Sequence, residues 1–397
     1  MKKAFLILAD GTVFCGQSIG VQGKTIGETV FTTGMTGYQE TLTDPSYFGQ
    51  IVTQTFPLIG NYGVIPEDFE SARSFVKGYI VRQLSDHPSN FRCQGDLDSF
   101  LKKQNIVGIS GIDTRQLTKI LRESGVMNGM IISGDEAKSL NLKEADEQSL
   151  TKIENQELLD EIRRYKIENA VKSVQNAGIE ISGPAEHAQN GFGYKVALWD
   201  FGAKANIRRE LEKRGCRVTV VPCTATAKEI LDLDVDGLML SNGPGDPAEN
   251  TAIIQEIKNI CDYDRAQKDS KKQIAVFGIC LGHQMLALAQ GAATSKLKYG
   301  HRGGNHPVKD LENNRVFITS QNHGYAVESA SLKGGAKESF VNLNDNTCEG
   351  VRYQDIPAFS VQFHPEACGG PHDTNFLFDE FIQLMACLIN GEKNGTK

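Results

Sequence analysis

The segment Gly278-Ile279-Cys280-Leu281-Gly282-His283-Gln284 follows directly on the apolar run Ile274-Ala275-Val276-Phe277. A short apolar run closing on small residues predicts a buried strand that turns sharply into a helix, here from His283 to Ala289. A glycine two residues before the thiol and another two after allow a tight, strained corner, the backbone geometry of a nucleophile elbow. Such a corner lifts the Cys280 sulfur out of the sheet. It also leaves the Leu281 N–H free to meet an oxyanion. The N-terminus of the following helix points at the sulfur and favours thiolate. Locally two readings fit, a nucleophile and a buried core cysteine.

The second signal lies downstream, where Ala358-Phe359-Ser360-Val361-Gln362-Phe363 reads as a strand with His364-Pro365-Glu366 at its end. A cysteine nucleophile needs a base to make thiolate and an acid to protonate a leaving amine, and histidine does both near neutral pH. The histidine needs a carboxylate to fix its tautomer and steady its cation. Glu366 is two residues on, on the same side of an extended chain, with Pro365 stiffening the spacer. Alone, His-Pro-Glu reads as a strand-end turn. Together with the cysteine corner it reads as a Cys280, His364, Glu366 triad.

From Lys195 onward strands and helices alternate: Val196 to Trp199, then Ala205 to Arg214, Val218 to Val221, and Ala227 to Leu231. That alternation predicts a doubly wound α/β domain with a mainly parallel sheet. Leu238-Met239-Leu240 adds a strand, followed by Ser241-Asn242-Gly243-Pro244-Gly245-Asp246-Pro247. With no bulky side chains, this loop brings backbone N–H groups close to a ligand, or is an ordinary turn capped by Asn242 or Asp246. Residues 1–134 are rich in Gly, Thr, Val and Ile in short runs, which predicts a mostly β, mixed α/β domain. It ends near a helix capped by Asp113, with Leu117, Ile120 and Leu121 on one face. Residues 135–192 are more polar. Within them Asn155 to Val174 has helical spacing (Leu158, Leu159, Ile162, Tyr165), and Gly178 to Gly193 reads as a connector. Residues 193–397 complete the second domain.

The chain's 397 residues exceed one typical domain. A net charge of −7 speaks against a nucleic-acid or anionic-membrane partner. There is no apolar run of the roughly 18 residues that a membrane span needs. The N-terminal apolar stretch stops at Asp10-Gly11, so a first strand is expected rather than a leader. Nine cysteines without a Cys-x-x-Cys pair point to a reducing cytoplasm and to no zinc site. Neither a dinucleotide fingerprint nor a Walker phosphate loop is present.

The glycine loop, the cysteine elbow and His364-Pro365-Glu366, in this order, resemble the class I (triad) glutamine amidotransferases. The first half extends the resemblance. Thr33-Gly34-Met35-Thr36-Gly37-Tyr38-Gln39-Glu40, Leu42-Thr43-Asp44-Pro45-Ser46-Tyr47, His87-Pro88-Ser89-Asn90-Phe91-Arg92 and Gly111-Ile112-Asp113-Thr114-Arg115 are similar to small, glutamine-hydrolysing chains of carbamoyl-phosphate synthases. Gly300-His301-Arg302-Gly303-Gly304-Asn305-His306-Pro307 and Ser320-Gln321-Asn322-His323-Gly324-Tyr325 match the same family. The resemblance implies Cys280 as nucleophile, His364 as base and acid, and Glu366 as its orienting carboxylate. It implies the Gly243 and Leu281 N–H groups as an oxyanion hole. Glutamine contacts are implied at Ser46, Gly243, Gly245, Leu281, Gln284, Asn322, Gly324 and Tyr325. It implies no cofactor in this chain, a large-chain partner that uses MgATP and bicarbonate, and a cytoplasmic place in arginine and pyrimidine synthesis. The alternatives are a glutaminase component of another synthase and a non-catalytic docking subunit.

The chain departs from the family in three places. Tyr325 stands where Phe is common, Cys368 and Gly369 where Ser and Pro are usual, and residues 135–192 match little. His283 is expected to pack rather than react, and His323 competes with His364 as a base. His301 and His306 are spaced for a weak metal pair but lie in a Gly-rich stretch with no third ligand in sight, so a structural loop and no metal site are expected. Asp262 to Lys272 is expected to be a solvated loop.

Overall fold

In the computed structural model, which describes residues 2–138, 151–175, 178–183 and 193–391, the chain forms two units, Met1–Ala170 and Val171–Lys397. The architecture is mixed α/β, with a β-rich first unit.

The first unit is organised by strand Lys3–Leu8. It pairs with Thr12–Gly20 on one side and with Met127–Ser133 on the other. Pairing continues through Lys24–Thr32, Gln50–Gln54, Gly78–Val81 and Val107–Ser110, and returns to Thr12–Gly20. The circuit therefore closes on itself, which leaves its member strands no long free edge. Side-chain alternation splits the first strand between two cores: Ala4, Leu6 and Leu8 join one, Phe5 and Ile7 the other. The helix Thr114–Ser124 forms where expected, with Asp113 accepting the Gln116 N–H and Leu117 and Leu121 buried.

Asn155 to Val174 is not one helix. Gln156–Arg164 is helical with Leu158, Leu159 and Ile162 buried, and a separate short helix covers Ala170–Val174. The break falls at Tyr165, whose φ of −60° and ψ of 133° are extended. Tertiary bonds hold it there: the Tyr165 hydroxyl donates to the Gly49 carbonyl at 2.9 Å, and Asn128 Nδ2 donates to the Ile162 and Tyr165 carbonyls. Of the expected connector Gly178 to Gly193, residues 184–192 lie outside the described residues, and Glu180–Ser182 forms a strand beside Arg217–Pro222.

In the second unit five parallel strands stand side by side: Arg217–Pro222, Lys195–Asp200, Gly237–Leu240, Ala275–Ile279 and Ala358–Val361. Numbered along the chain, this is the order 2-1-3-4-5 of a doubly wound sheet. Both faces are covered, so the strands are apolar throughout rather than alternating. Trp199, Leu238 and Val276 pack on one face with Ile257 and Met285; Leu198, Met239 and Phe277 pack on the other with Leu211 and Phe381. Beyond Ala358–Val361 the sheet continues antiparallel through Cys348–Tyr353, Ala336–Asn342, Thr294–Asp310 and Arg315–Val327.

The charge run Asp262 to Lys272 is only partly a solvated loop. Its start completes the helix Thr251–Ala266, and Asp264 is fully buried there, accepting the Ile274 N–H at 3.0 Å. Burial pushes the Asp264 carboxyl up to about 7. Among the described residues no helix is long and apolar enough to cross a membrane.

Two glycines let the helix Leu281–Ala289 approach its sheet. A Cβ on Gly282 would lie 2.3 Å from the Leu240 carbonyl oxygen, and one on Gly278 would lie 3.0 Å from the Gly282 carbonyl. Since backbone cannot yield as a side-chain tip does, Gly282→Ala is expected to cost about 1–3 kcal/mol of stability, read as a lower midpoint in chemical denaturation.

Candidate active site

Cys280 sits between strand Ala275–Ile279 and helix Leu281–Ala289 with φ 52° and ψ −102°. That region is sparsely populated for any residue with a Cβ, and holding it costs of order 1–3 kcal/mol. Backbone bonds on both sides pin the corner. The Cys280 N–H donates to the Val361 carbonyl at 2.9 Å, Gly282 N–H to Ser241 at 3.0 Å, and Gln284 N–H to Cys280 at 3.1 Å. The sulfur is buried and lies 3.7 Å from the Asn322 carbonyl oxygen.

His364 and Glu366 follow the neighbouring parallel strand, Ala358–Val361. His364 Nδ1 lies 2.7 Å from Glu366 Oε1, which fixes the hydrogen on Nδ1 and turns Nε2 away from the carboxylate. No partner meets hydrogen-bond geometry at Nε2 among the described residues, yet the Cys280 thiol is close enough to interact with the ring. Burial and the Lys204 ammonium pull the imidazole down, but the Glu366 carboxylate and the Cys280 sulfur outweigh them and raise it to about 9. Burial pushes Glu366 up, but His364 and Lys204 hold it down at about 2. The pair is thus an ion pair at neutral pH.

Lys204 was not legible as a site residue. Its ammonium lies 3.4 Å from Glu366 Oε1, nearly buried. Asp200 accepts the Gly202 and Ala203 N–H groups, and Asn242 Oδ1 accepts the Lys204 N–H at 2.9 Å, so two strand ends fix the position. The available signal was a lysine at the N-cap of helix Ala205–Lys213, where the helix dipole disfavours a cation.

The glycine loop lies against the elbow. A Cβ on Gly243 would meet the Phe201 carbonyl oxygen at 2.3 Å and Leu281 Cδ2 at 2.8 Å. Gly245 has φ +91°. Among the described residues neither the Gly243 nor the Leu281 N–H has an acceptor. Asn322, Gly324 and Tyr325 lie on strand Arg315–Val327, brought to the site by two contacts. The Asn322 carbonyl faces the thiol, and Gln284 Nε2 donates to the Tyr325 carbonyl at 2.7 Å and to Gln362 Oε1 at 2.9 Å. The second unit therefore gathers Cys280, Leu281, Gln284, Gly243, Asn322, Tyr325, His364 and Glu366. Ser46 belongs to the first unit, buried in the short 3-10 turn Pro45–Tyr47, its N–H held by Asp44.

The other histidines sort clearly. His283 is fully buried with Nδ1 2.8 Å from Ser360 Oγ, and burial drives it down to about 3, so it packs as a neutral ring. His323 is buried with Nδ1 facing the Tyr325 carbonyl and Nε2 facing Gln321 Oε1, burial pulls it well below its ordinary value, and it is not placed as a base. The expectation that His301 lacks further ligand-type neighbours is corrected: it lies with His323 and Glu349, brought together by three antiparallel strands distant in sequence. Cys368 is exposed, its sulfur 3.0 Å from Asn206 Nδ2.

A thiol beside an imidazole locked by a carboxylate, with two free N–H groups at the corner, is the set for nucleophilic acyl transfer. In the unfolded chain His364 returns to 6.5 and Glu366 to 4.5. The His364 contribution therefore stabilises fully below 6.5 and is lost as pH rises through about 9. The Glu366 contribution is full above 4.5 and is lost as pH falls through about 2. Glu366→Gln removes the main upward push, so His364 is expected to titrate well below 9, as read from its imidazole NMR signals.

Residues 6–131 match the family model described as carbamoyl-phosphate synthase small chain, CPSase domain, and residues 197–384 that described as glutamine amidotransferase class-I. The carbamoyl phosphate synthase small chain of Listeria monocytogenes serotype 4b is 48% identical over 396 residues, covering 100% of this chain and 99% of the relative. That of Clostridium perfringens is 49% identical over 382 residues, covering 96% and 99%. A solved structure from Thermoplasma acidophilum, described as a putative GMP synthase component, aligns with 50% of this chain and 96% of its own, at 22% identity and a TM-score of 0.42. Full-length identity near one half, with both domains matched in order, places the chain in the carbamoyl phosphate synthase small-chain family, as a glutamine amidotransferase subunit.

Proposed function

We propose that Cys280 attacks the side-chain amide of glutamine, forming a thioester as the C–N bond breaks and His364 gives its proton to the leaving nitrogen. Ammonia departs. His364 then takes a proton from water, the hydroxide displaces the sulfur, and glutamate is released. The Gly243 and Leu281 N–H groups receive the charge that develops on the amide oxygen, each worth about 3 kcal/mol in such sites. Asn322, Gly324 and Tyr325 hold the amino-acid end of glutamine, Gly245 and Gln284 lie beside the nucleophile, and Ser46 is carried as a further glutamine contact. The observation that carries the reading is the positive-φ corner at Cys280, set beside an ionised His364–Glu366 pair.

The ammonia passes to a large synthetase chain, which combines it with bicarbonate and two ATP to give carbamoyl phosphate for arginine and pyrimidine synthesis. The names of the full-length relatives and the match of the first half support this partner. No cofactor is needed in this chain for the steps above; MgATP and bicarbonate are the partner's. A cytoplasmic location suits nine cysteines without a disulfide among the described residues.

The test is to mix this chain with a carbamoyl-phosphate synthase large chain, bicarbonate and MgATP, and to measure carbamoyl phosphate. Cys280→Ser is expected to lower glutamine-dependent synthesis by about 10³-fold or more, while ammonia-driven synthesis persists. Glutamine-dependent product from the variant would sink the assignment.

A further inference from the structure

Behind the glutamine-facing segment lies a second group of buried polar side chains that the proposed chemistry does not use. It forms where four antiparallel strands meet: His301 on Thr294–Asp310, Gln321 and His323 on Arg315–Val327, Asn342 on Ala336–Asn342, and Glu349 on Cys348–Tyr353. Glu349 and Asn342 are completely buried, and the other three nearly so. Glu349 Oε1 accepts Asn342 Nδ2 at 3.1 Å, and Oε2 accepts Gln321 Nε2 at 3.0 Å. Gln321 also faces Thr319 Oγ1 through that nitrogen, so its oxygen points to His323 Nε2 at 3.0 Å. Burial and the neighbouring cations hold His323 well below its ordinary value, so its neutral ring has one hydrogen to give, between Gln321 Oε1 and the Tyr325 carbonyl 2.7 Å from Nδ1, the same oxygen that Gln284 holds from the elbow helix.

A metal site is the first thought. His301, His323 and Glu349 offer ligand atoms within 4.8 Å of one another, and two histidines with a carboxylate suit zinc. The first of these donors is already spent, however. His301 lies between Asp345 at 2.8 Å and Glu349 at 3.5 Å, and both His323 nitrogens face oxygens. Burial pulls His301 down, but hydrogen bonds to Asp345 and Glu349 win and raise it to about 9. The imidazolium is itself the cation that this pair of carboxylates requires.

A buried carboxylate is costly and is often replaced by apolar side chains without loss of stability. Its burial here with this many hydrogen-bond partners suits a positional role. The position it controls is specific. The ladder between Thr294–Asp310 and Arg315–Val327 is irregular between Lys296 and His301, directly opposite His323 to Tyr325. There side chains, rather than a regular backbone ladder, have to set the chain. We propose that Glu349 is a positioning residue for glutamine binding, which acts through Gln321, the residue directly before Asn322, to hold the Asn322–Tyr325 segment against the nucleophile. The inference rests on the reading of Asn322, Gly324 and Tyr325 as glutamine contacts.

The test compares Glu349→Ala, Gln321→Leu and Glu349→Gln with the unaltered chain in the assembled synthase. Four quantities are read: kcat and KM for glutamate release, the rate at which iodoacetamide alkylates Cys280, and zinc retained after dialysis. Glu349→Ala and Gln321→Leu are expected to raise the glutamine KM about tenfold, with kcat within about threefold. Iodoacetamide, which needs no glutamine pocket, should react as before. Glu349→Gln still offers an oxygen to Gln321 Nε2 and should return KM to within about threefold of the original. An unchanged KM in the first two variants would overturn the proposal. So would a loss confined to kcat, a loss of iodoacetamide reactivity, or a Glu349→Gln variant as impaired as the alanine. One retained equivalent of zinc would make the cluster a metal site instead. If the unaltered chain released no glutamate, the functional reading itself would fail, which is a separate result from a normal KM in Glu349→Ala.

Discussion

The site depends on one backbone residue held at φ 52°. Everything around Cys280 serves to keep it there. Two glycines remove the Cβ atoms that would block the helix from the sheet, and three backbone bonds tie the corner to the strand ends at Val361 and Ser241 and to the next helical turn. The conformation stores energy that the unit must supply from packing, and the flanking parallel strands provide it through apolar cores on both faces. What the strain yields is geometry. The sulfur leaves the sheet, the next N–H has no acceptor among the described residues, and the neighbouring strand's exit delivers His364 to the same side.

Electrostatics follow from that placement. Strand order puts the exits after Lys195–Asp200, Gly237–Leu240, Ala275–Ile279 and Ala358–Val361 next to one another. A doubly wound sheet gathers function at these carboxyl ends because the loops there are free to carry it. Lys204, Asn242, Cys280 and His364 each come from one exit. Lys204 opposes the cation on His364 but favours the anion on Glu366, and the Glu366 bond prevails. The imidazole is therefore already charged at neutral pH, with a hydrogen on Nε2 to give on the side of the Cys280 sulfur.

How much of this was legible in the sequence follows from how local each cause is. The elbow, the glycine loop and the His364–Glu366 pair are encoded within a few residues each, so their pattern alone announces them. The helix capped by Asp113 and the parallel strands are equally plain. Tyr165 is not: its helical spacing is overruled by a hydroxyl bond to Gly49, far away in sequence. Asp264 reads as a solvated charge because a run of charged residues says nothing of which face meets the sheet. The partners of His301 escape for the same reason, since His323 and Glu349 reach it only through antiparallel strand pairing.

The two halves of the sheet divide the labour on the proposed reading. The parallel half carries the groups that make and break bonds, on strands buried on both faces and so least free to move. The antiparallel extension carries the segment that meets the amino-acid end of glutamine, beside an irregular stretch of ladder that is fixed by side-chain bonds. Besides the pairing of Ala358–Val361 with Cys348–Tyr353, the Asn322–Tyr325 segment meets the elbow through the Asn322 carbonyl at the thiol and the Gln284 amide at the Tyr325 carbonyl. Substitutions in the extension can shift the recognition wall while the elbow keeps its own backbone bonds. The physical expectation is that binding and chemistry are separable in this unit. Gln284 is the residue at which they couple, since its amide spans from the nucleophile's helix to the wall.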